Sequence, residues 1–292
     1  MTFQQLGLVG CGLMGGSFAL ALKRAGLVNR VVGFSPSATT RDRALRLGVV
    51  DAVASSVADA ARGSDLVLVA VPVAATESTL SALAGTLSPT ALLMDVGSTK
   101  CDVVAAAERA LGAGLACFVP AHPIAGKEVA GIEHADAMLY AGCQVILTPN
   151  SATGAAQLAQ ADAVWRALGC RVRQMSASAH DAAFAAVSHL PHLLAFAMMN
   201  GISSQADASE LLSLAGPGFR DFTRIAASDP AVWRDIFLAN RDEVLAQIAS
   251  FQASLSALQH AVAGSDAPTI QSLITQASSA RAAWHLGADT DH

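Results

Sequence analysis

Gly10-Cys11-Gly12-Leu13-Met14-Gly15 is the stretch on which the fold turns. Its spacing is G-x-G-x-x-G, it follows the apolar run Leu6–Gly10, and it opens a segment of helical period. The first glycine permits a tight turn, the second lets backbone approach a pyrophosphate, and the third lets helix and strand pack closely. The helix N-terminus that follows offers N–H groups and positive dipole to phosphate oxygens. A glycine triplet alone also fits an ordinary βα turn. Here the strand-loop-helix context selects dinucleotide binding.

Outward from that loop the chain keeps alternating. Leu6–Gly10, Val31–Phe34, Leu66–Val71, Ala91–Val96, Cys117–Pro120, Cys143–Thr148 and Cys170–Met175 are continuous apolar runs, as expected for strands covered on both faces of a parallel sheet. Between them lie helical segments such as Ser17–Ala25, Thr40–Leu47, Thr76–Leu87, Lys100–Leu111 and Ala155–Leu168, four of them stopped by Gly26, Gly48, Gly112 and Gly169. After about Ser176 the strand signals end. Ser178–Gly201 is helical in pattern, with Pro191 predicted to kink or split it. Asp229-Pro230 reads as an N-cap with proline at the first helical position, opening a helix that could run to about Ala263. In it Val244, Ile248, Phe251, Leu255, Leu258 and Val262 form an a/d seam. Asp266-Ala267-Pro268 starts a last helix ending near Trp284, and Gly287–His292 reads as a frayed tail. The predicted class is α/β: a Rossmann-type doubly wound sheet over residues 1–175, followed by an all-helical domain over 176–292.

Composition narrows the class of function. The 292 residues carry a net charge of −5 with no basic run, which argues against nucleic acid or an anionic membrane as partner. The longest strongly apolar uncharged stretch, Leu66 to Thr76, is expected to be too short to span a bilayer and is interrupted by Pro72, and the start lacks a basic signal region. Five scattered cysteines without a Cys-x-x-Cys pair read as reduced thiols in a cytoplasm, with neither disulfide framework nor zinc site.

Several residues carry chemistry by type and place. The second strand ends in Ser35 where a carboxylate would ordinarily hold the adenosine ribose. With Arg41 and Arg43 close behind, this points to a 2′-phosphate and hence NADP, unless both arginines are solvated first-turn residues. The expected cofactor-binding set is Gly10, Gly12, Leu13, Met14, Gly15, Ser35, Arg41, Val71 and Pro72. Asp95-Val96-Gly97-Ser98-Thr99-Lys100 follows the fourth strand candidate, where Ser98 either touches substrate or nicotinamide or merely caps the next helix. His122, in His122-Pro123-Ile124-Ala125-Gly126, stands at a strand end and suits a proton acceptor near neutral pH. His180, His189 and His192 gather in the first helical stretch, but zinc would need three or four convergent ligands, so no metal is expected. Arg220 and Arg224, in Gly216-Pro217-Gly218-Phe219-Arg220-Asp221-Phe222-Thr223-Arg224, could bind a carboxylate or form an inter-helix salt bridge.

Together these motifs resemble the prephenate/arogenate dehydrogenase family of tyrosine biosynthesis. The matching pieces are Gly10 to Ser17, Asp95 to Lys100, His122-Pro123-Ile124-Ala125-Gly126-Lys127-Glu128, Val187-Ser188-His189-Leu190-Pro191-His192 and Phe219 to Ala226, in order along essentially the whole chain. The resemblance implies oxidative decarboxylation of a cyclohexadienol, prephenate or arogenate, with hydride transfer to NAD(P). It implies that His122 takes the ring hydroxyl proton while Ser98 orients that histidine and the nicotinamide. His192 and Arg224 would hold substrate, the arginine through a carboxylate, and His189 would line the same cavity. A homodimer through the helical domain is implied too, consistent with the seam. Two rivals stand beside it: another two-domain Rossmann reductase of the hydroxyacid or pyrroline-carboxylate type, and a nucleotide-sensing protein without turnover. The histidine-proline motif and the His189/His192 pair argue against the first. His122 and Arg224, still in place, argue against the second.

Overall fold

The computed structural model describes residues 1–127 and 129–285, so Glu128 and the tail Gly287–His292 lie outside the described residues. Six strands form one parallel sheet: β1 (Leu6–Val9), β2 (Val31–Phe34), β3 (Ala52–Val53), β4 (Leu66–Val69), β5 (Leu92–Asp95) and β6 (Phe118–Val119). Their order is β3-β2-β1-β4-β5-β6, and Leu6 of β1 stands opposite both Val31 and Leu66. Every residue of β1 and β4 is buried, which explains their continuous apolar runs. Helices α1 (Leu13–Arg24), α2 (Ala38–Arg46), α3 (Val57–Ala61), α4 (Thr76–Leu83), α5 (Cys101–Ala110) and α6 (Ala155–Ala167) accompany the strands. The strand order reverses between β1 and β4, and such a switch point opens a crevice outside the carboxyl ends of the strands. The expected Rossmann-type sheet is present.

One sheet does not hold all the strands. Cys143–Thr148 and Cys170–Met175 contain β8 (Gln144–Leu147) and β9 (Arg171–Gln174), but these join β7 (Ala121–Pro123) in a separate three-stranded sheet. There β7 runs antiparallel to β8, with His122 opposite Ile146, while β8 and β9 are parallel. Pro120 has no N–H to give a ladder and marks the point where the chain leaves the first sheet for the second. β9 reads Arg-Val-Arg-Gln and is mostly exposed, so it is not covered on both faces. A buried aromatic cluster holds the region together: Phe18 on α1 lies 5.0 Å from Trp165 on α6, and Trp165 lies 5.3 Å from Tyr140. The Tyr140 hydroxyl donates to the Met14 carbonyl at 2.8 Å, tying the cluster to the start of α1.

The second half is helical. α7 (Ala177–Phe184), a π-helical turn (Ala185–His189) and α8 (Leu190–Ser203) form one continuous run. Pro191 therefore neither splits nor ends the helix. A proline crowds the preceding turn and lacks its N–H, and the wide π turn just before it accommodates both. By length and composition alone this 27-residue run, which contains an 18-residue window of mean hydropathy 1.5, could cross a membrane, unlike the shorter stretch Leu66 to Thr76. It carries buried Asp181, His180 and His189, polar groups that are expensive in hydrocarbon. Next come α9 (Ala208–Ser213), α10 (Pro217–Thr223), a 3-10 turn (Arg224–Ala227), α11 (Pro230–Ala239), α12 (Arg241–Ala263) and α13 (Ala267–Ala283). Asp229 caps α11 by accepting from the N–H groups of Ala231 and Val232. The single helix expected from Asp229 to Ala263 is broken at Asn240, whose side chain is claimed by residues of the preceding helical run.

The chain divides into two compact units, residues 1–244 and 245–292. The first takes in both sheets and the helices through α11. The second holds most of α12 and all of α13. Along the seam Leu255 and Val262 are 52% and 63% exposed, so those two positions are not internal core.

Candidate active site

The glycine loop is built as its spacing requires. Gly10 has φ +103°, and a Cβ there would stand 2.2 Å from the Ala70 carbonyl oxygen at the end of β4. At Gly15 a Cβ would meet the Gly10 oxygen at the same distance, whereas at Gly12 nothing lies within 4 Å. The two outer glycines are thus consumed by packing, and the middle one faces open space. Gly12 is also the N-cap of α1 and makes no side-chain cap, leaving the first-turn N–H groups for an anion. Val71 and Pro72 continue β4 past Ala70 beside this loop. A nicotinamide dinucleotide fits these residues: an open cradle, a helix N-terminus and the switch point coincide.

At the end of β2, Ser35 is buried, and Arg41 folds over the turn. Arg41 Nη1 donates to the carbonyls of Ser35 (2.5 Å) and Pro36 (3.2 Å). Arg43 instead pairs with Glu133 at 3.0 Å. The two arginines are therefore not equivalent, and Arg41 is the one held at the end of β2. Burial pushes the neighbouring Cys11 thiol up to about 11, so it is a neutral packing group.

His122 lies inside β7 rather than in a loop, and its Nδ1 is 2.8 Å from His180 Nε2. His180 Nδ1 is 2.7 Å from Asp181 Oδ1, and both residues are buried. The Asp181 carboxylate also accepts from the main-chain N–H groups of Lys100 and Cys101, each at 2.8 Å, at the N-terminus of α5. Burial alone would raise the Asp181 carboxyl, but the bonds from His180, Cys101 and Lys100 hold it below the ordinary value. Beside this chain lies a buried ion pair, Lys100 Nζ to Asp95 Oδ2 at 2.5 Å. It grips the residue before the histidine from both sides. Lys100 Nζ donates to the Ala121 carbonyl and Asp95 Oδ1 accepts from the Ala121 N–H. Burial, with His180, Lys100 and His189 nearby, drives the His122 imidazole well below the usual histidine value, so it stands neutral. Phe184 packs on both rings of the histidine pair, 4.8 Å from His122 and stacked 4.4 Å from His180.

The remaining predicted residues fall into place unequally. Ser98 is half-buried in the turn after β5, while the bond at His122 Nδ1 goes to His180. His189 is only 1% exposed and its Nδ1 accepts from Asn240 Nδ2 at 3.1 Å, so it forms a wall behind the surface. Asn240 Nδ2 also donates to the Asp181 carbonyl at 2.8 Å, joining the two histidine groups. Burial lowers His189 to about 4. His192 is half-buried, donates from Nδ1 to the Ser188 carbonyl at 2.9 Å, and stacks on Trp233 with centroids 3.6 Å apart. Arg224 opens the 3-10 turn that packs against α8, the helix of His192. Arg220 pairs with its own neighbour Asp221 on the surface rather than across helices.

Sequence reasoning passed over Asp181, Asn240 and Trp233, gave His180 no role, and quoted Asp95 and Lys100 only as parts of a motif. An acid directly after a histidine was the visible signal for the His180-Asp181 pair. For Asn240 the sequence offers none.

Comparison with known proteins follows the same division. The family described as "Prephenate dehydrogenase, nucleotide-binding domain" matches residues 18–174, and "Prephenate dehydrogenase, dimerization domain" matches residues 176–276. The chain is 35% identical to a cyclohexadienyl dehydrogenase of Zymomonas mobilis, covering 100% of this chain and 98% of that protein. Among solved structures it is similar to the prephenate dehydrogenase of Aquifex aeolicus in complex with hydroxyphenyl propionate and NAD+ (TM-score 0.89, 36% identity, 96% of this chain and 98% of that one). It is also similar to Synechocystis arogenate dehydrogenase (TM-score 0.80, 27% identity, 95% and 99%).

Proposed function

This chain belongs to the prephenate dehydrogenase family, and on that premise we propose that it oxidatively decarboxylates prephenate, arogenate or both in tyrosine biosynthesis. The observation that carries the reading is His122, a neutral imidazole fixed by a buried network, in a chain that also carries an open glycine cradle. When bound, the nicotinamide ring supplies the hydride acceptor. His122 Nε2 takes the proton of the ring hydroxyl as the hydride leaves the same carbon. Loss of CO2 then returns its bonding pair to the ring, which becomes aromatic, and the phenolate oxygen recovers the proton from His122. A base that is neutral at rest and returns its proton within the turnover suits this sequence.

Ser98, half-buried in the turn after β5, is assigned to the nicotinamide side. Arg224 is assigned to a substrate carboxylate, and His192, held flat on Trp233, to the substrate wall. His189 supports that wall through Asn240. The cradle residues Gly10, Gly12, Leu13, Met14, Gly15, Val71 and Pro72 hold the dinucleotide. NADP is the preferred form in this reading: Ser35 can donate to a 2′-phosphate, and Arg41, already over that turn, brings the charge. The domain boundary is placed at residues 175/176, where the two family matches meet, and the helical domain is assigned to a homodimer. Five free cysteines fit a cytoplasmic location. Initial rates on prephenate and arogenate, each with NAD and NADP, test the proposal. Turnover of neither substrate would remove it.

A further inference from the structure

Asp181 has acceptor duties on every side. With two main-chain N–H groups already donating to it, His180 Nδ1 must be its third donor. A neutral imidazole carries one N–H, so His180 Nε2 is then a lone pair. Burial and the Lys100 charge outweigh Asp181 and hold His180 below the ordinary histidine value, so the neutral form applies. The 2.8 Å contact to His122 consequently has one polarity: His122 Nδ1–H donates and His180 Nε2 accepts. That leaves the His122 lone pair on Nε2. Reversed, with Nε2–H on His122, the ring would have no basic nitrogen toward a hydroxyl. The groups facing His122 are His180 and Phe184 from α7 and its end, Lys100 from the start of α5, and His189 from the π turn.

We propose that His180 and Asp181 are positioning residues that set the tautomer of His122, the carboxylate dictating through two imidazoles which nitrogen of the base is free. The inference deepens the functional reading above and rests on it for its kinetic part, but the tautomer itself is observable without substrate. The chain of donors runs from His122 to a carboxylate that is fixed at a helix N-terminus, so neither ring can flip without breaking a buried bond. Fixing the tautomer of a base through a distant carboxylate is a device whose loss is large in rate and small in binding.

The test uses the full chain with 15N-labelled histidine rings. Long-range 15N–1H spectra of the free protein should show His122 as the neutral Nδ1–H tautomer, assigned by its loss in His122→Asn. His180→Leu removes the acceptor. The Nδ1–H signature should give way, and kcat on the preferred substrate should fall by about 10² or more with substrate KM changed by less than about threefold. His180→Gln offers a carbonyl near the place of Nε2 and should restore the tautomer and bring kcat back to within about tenfold of the wild type. Asp181→Asn is the companion variant, but it also removes the cap of α5, so the His180 pair carries the decision. An Nε2–H tautomer at His122 in the wild type, or a folded His180→Leu with wild-type kcat, overturns the proposal. If the Nδ1–H tautomer is found but neither prephenate nor arogenate is turned over, the functional reading fails while the tautomer assignment stands.

Discussion

Acid should unfold this protein earlier than its carboxylates alone would, and His189 allows the effect to be isolated. Its folded-state value is about 4, lowered chiefly by burial, against an ordinary histidine value of 6.5. As pH falls through about 6.5 the unfolded chain takes up a proton on this ring, while the folded chain refuses it until about 4. Between those limits unfolding consumes one extra proton, so stability falls by about 1.4 kcal/mol per pH unit. Below the lower limit both states are protonated and the contribution is fully lost. His189 alone therefore accounts for roughly 3 kcal/mol of the stability present at neutral pH. His189→Asn is the informative change, because an asparagine Oδ1 can stand near the place of Nδ1 and still accept from Asn240. The variant loses ring contact with Trp233, so at neutral pH it should be less stable by about 1–3 kcal/mol. The diagnostic quantity is the slope. Urea denaturation at fixed protomer concentration, from about pH 7 to about pH 4.5, should show the variant losing stability less steeply, by about one proton. His122, His180 and His192 are also lowered by burial and add to the slope, as do the carboxylates held low in the fold. An unchanged slope in the variant would refute the claim that His189 is buried in its neutral form.

His122→Asn should lower kcat by about 10²–10⁴ with little effect on substrate KM. Because the His122 value is depressed, the wild-type rate should rise with pH through an ionisation below the ordinary histidine range rather than near it; a limb at or above 6.5 contradicts the burial argument. Arg224→Ala should raise substrate KM about tenfold or more and leave cofactor KM alone, since a charge-assisted bond contributes roughly 1.5–3 kcal/mol. An unchanged KM in a destabilised protein would make Arg224 structural. Wild-type kcat/KM should favour NADP by about tenfold, Arg41→Ala should erase the preference, and Ser35→Asp should move it toward NAD. Arg43→Ala, whose parent arginine is paired with Glu133, should leave it in place.

The sheet was legible because burial on both faces removes alternation: β1, β2 and β4 show unbroken apolar runs, and β5 is apolar up to Asp95. The same property hides which sheet a strand joins. β8 has the apolar character of the first sheet and belongs to the second, since the decision rests on Pro120 and on the pairing of Ala121–Pro123. β3 has two residues and α3 five, too short to impose a period. Asn240 is a different kind of failure. The helical pattern from Pro230 to Ala263 contains neither proline nor glycine after its first residue, and the break comes from side-chain bonds to Asp181 and to His189, 59 and 51 residues away. No local rule contains that information.

The base itself was legible, because histidine beside proline after a strand is a local signal. What makes it a base was not. Asp95, Lys100, His122, Asp181 and Asn240 come from separate elements, and each is ordinary where it stands in the sequence. Asp181 shows why they cannot be read singly. The same carboxylate closes the N-terminus of α5, fixes His180, and stands in the backbone segment held by Asn240. Removing it would leave buried donors unpaired at α5 as well as releasing the imidazole, and such orphaned groups cost about 1–3 kcal/mol each. A substitution at Asp181 therefore reports on folding and on the base together. The His180 side chain bonds its carboxylate and the base and stacks on Phe184, so a change there alters the direction of one hydrogen bond while the helix cap stays made. The separation of folding from catalysis in this site thus lies between two adjacent residues, and it is at the histidine, not at the acid, that the two can be measured apart.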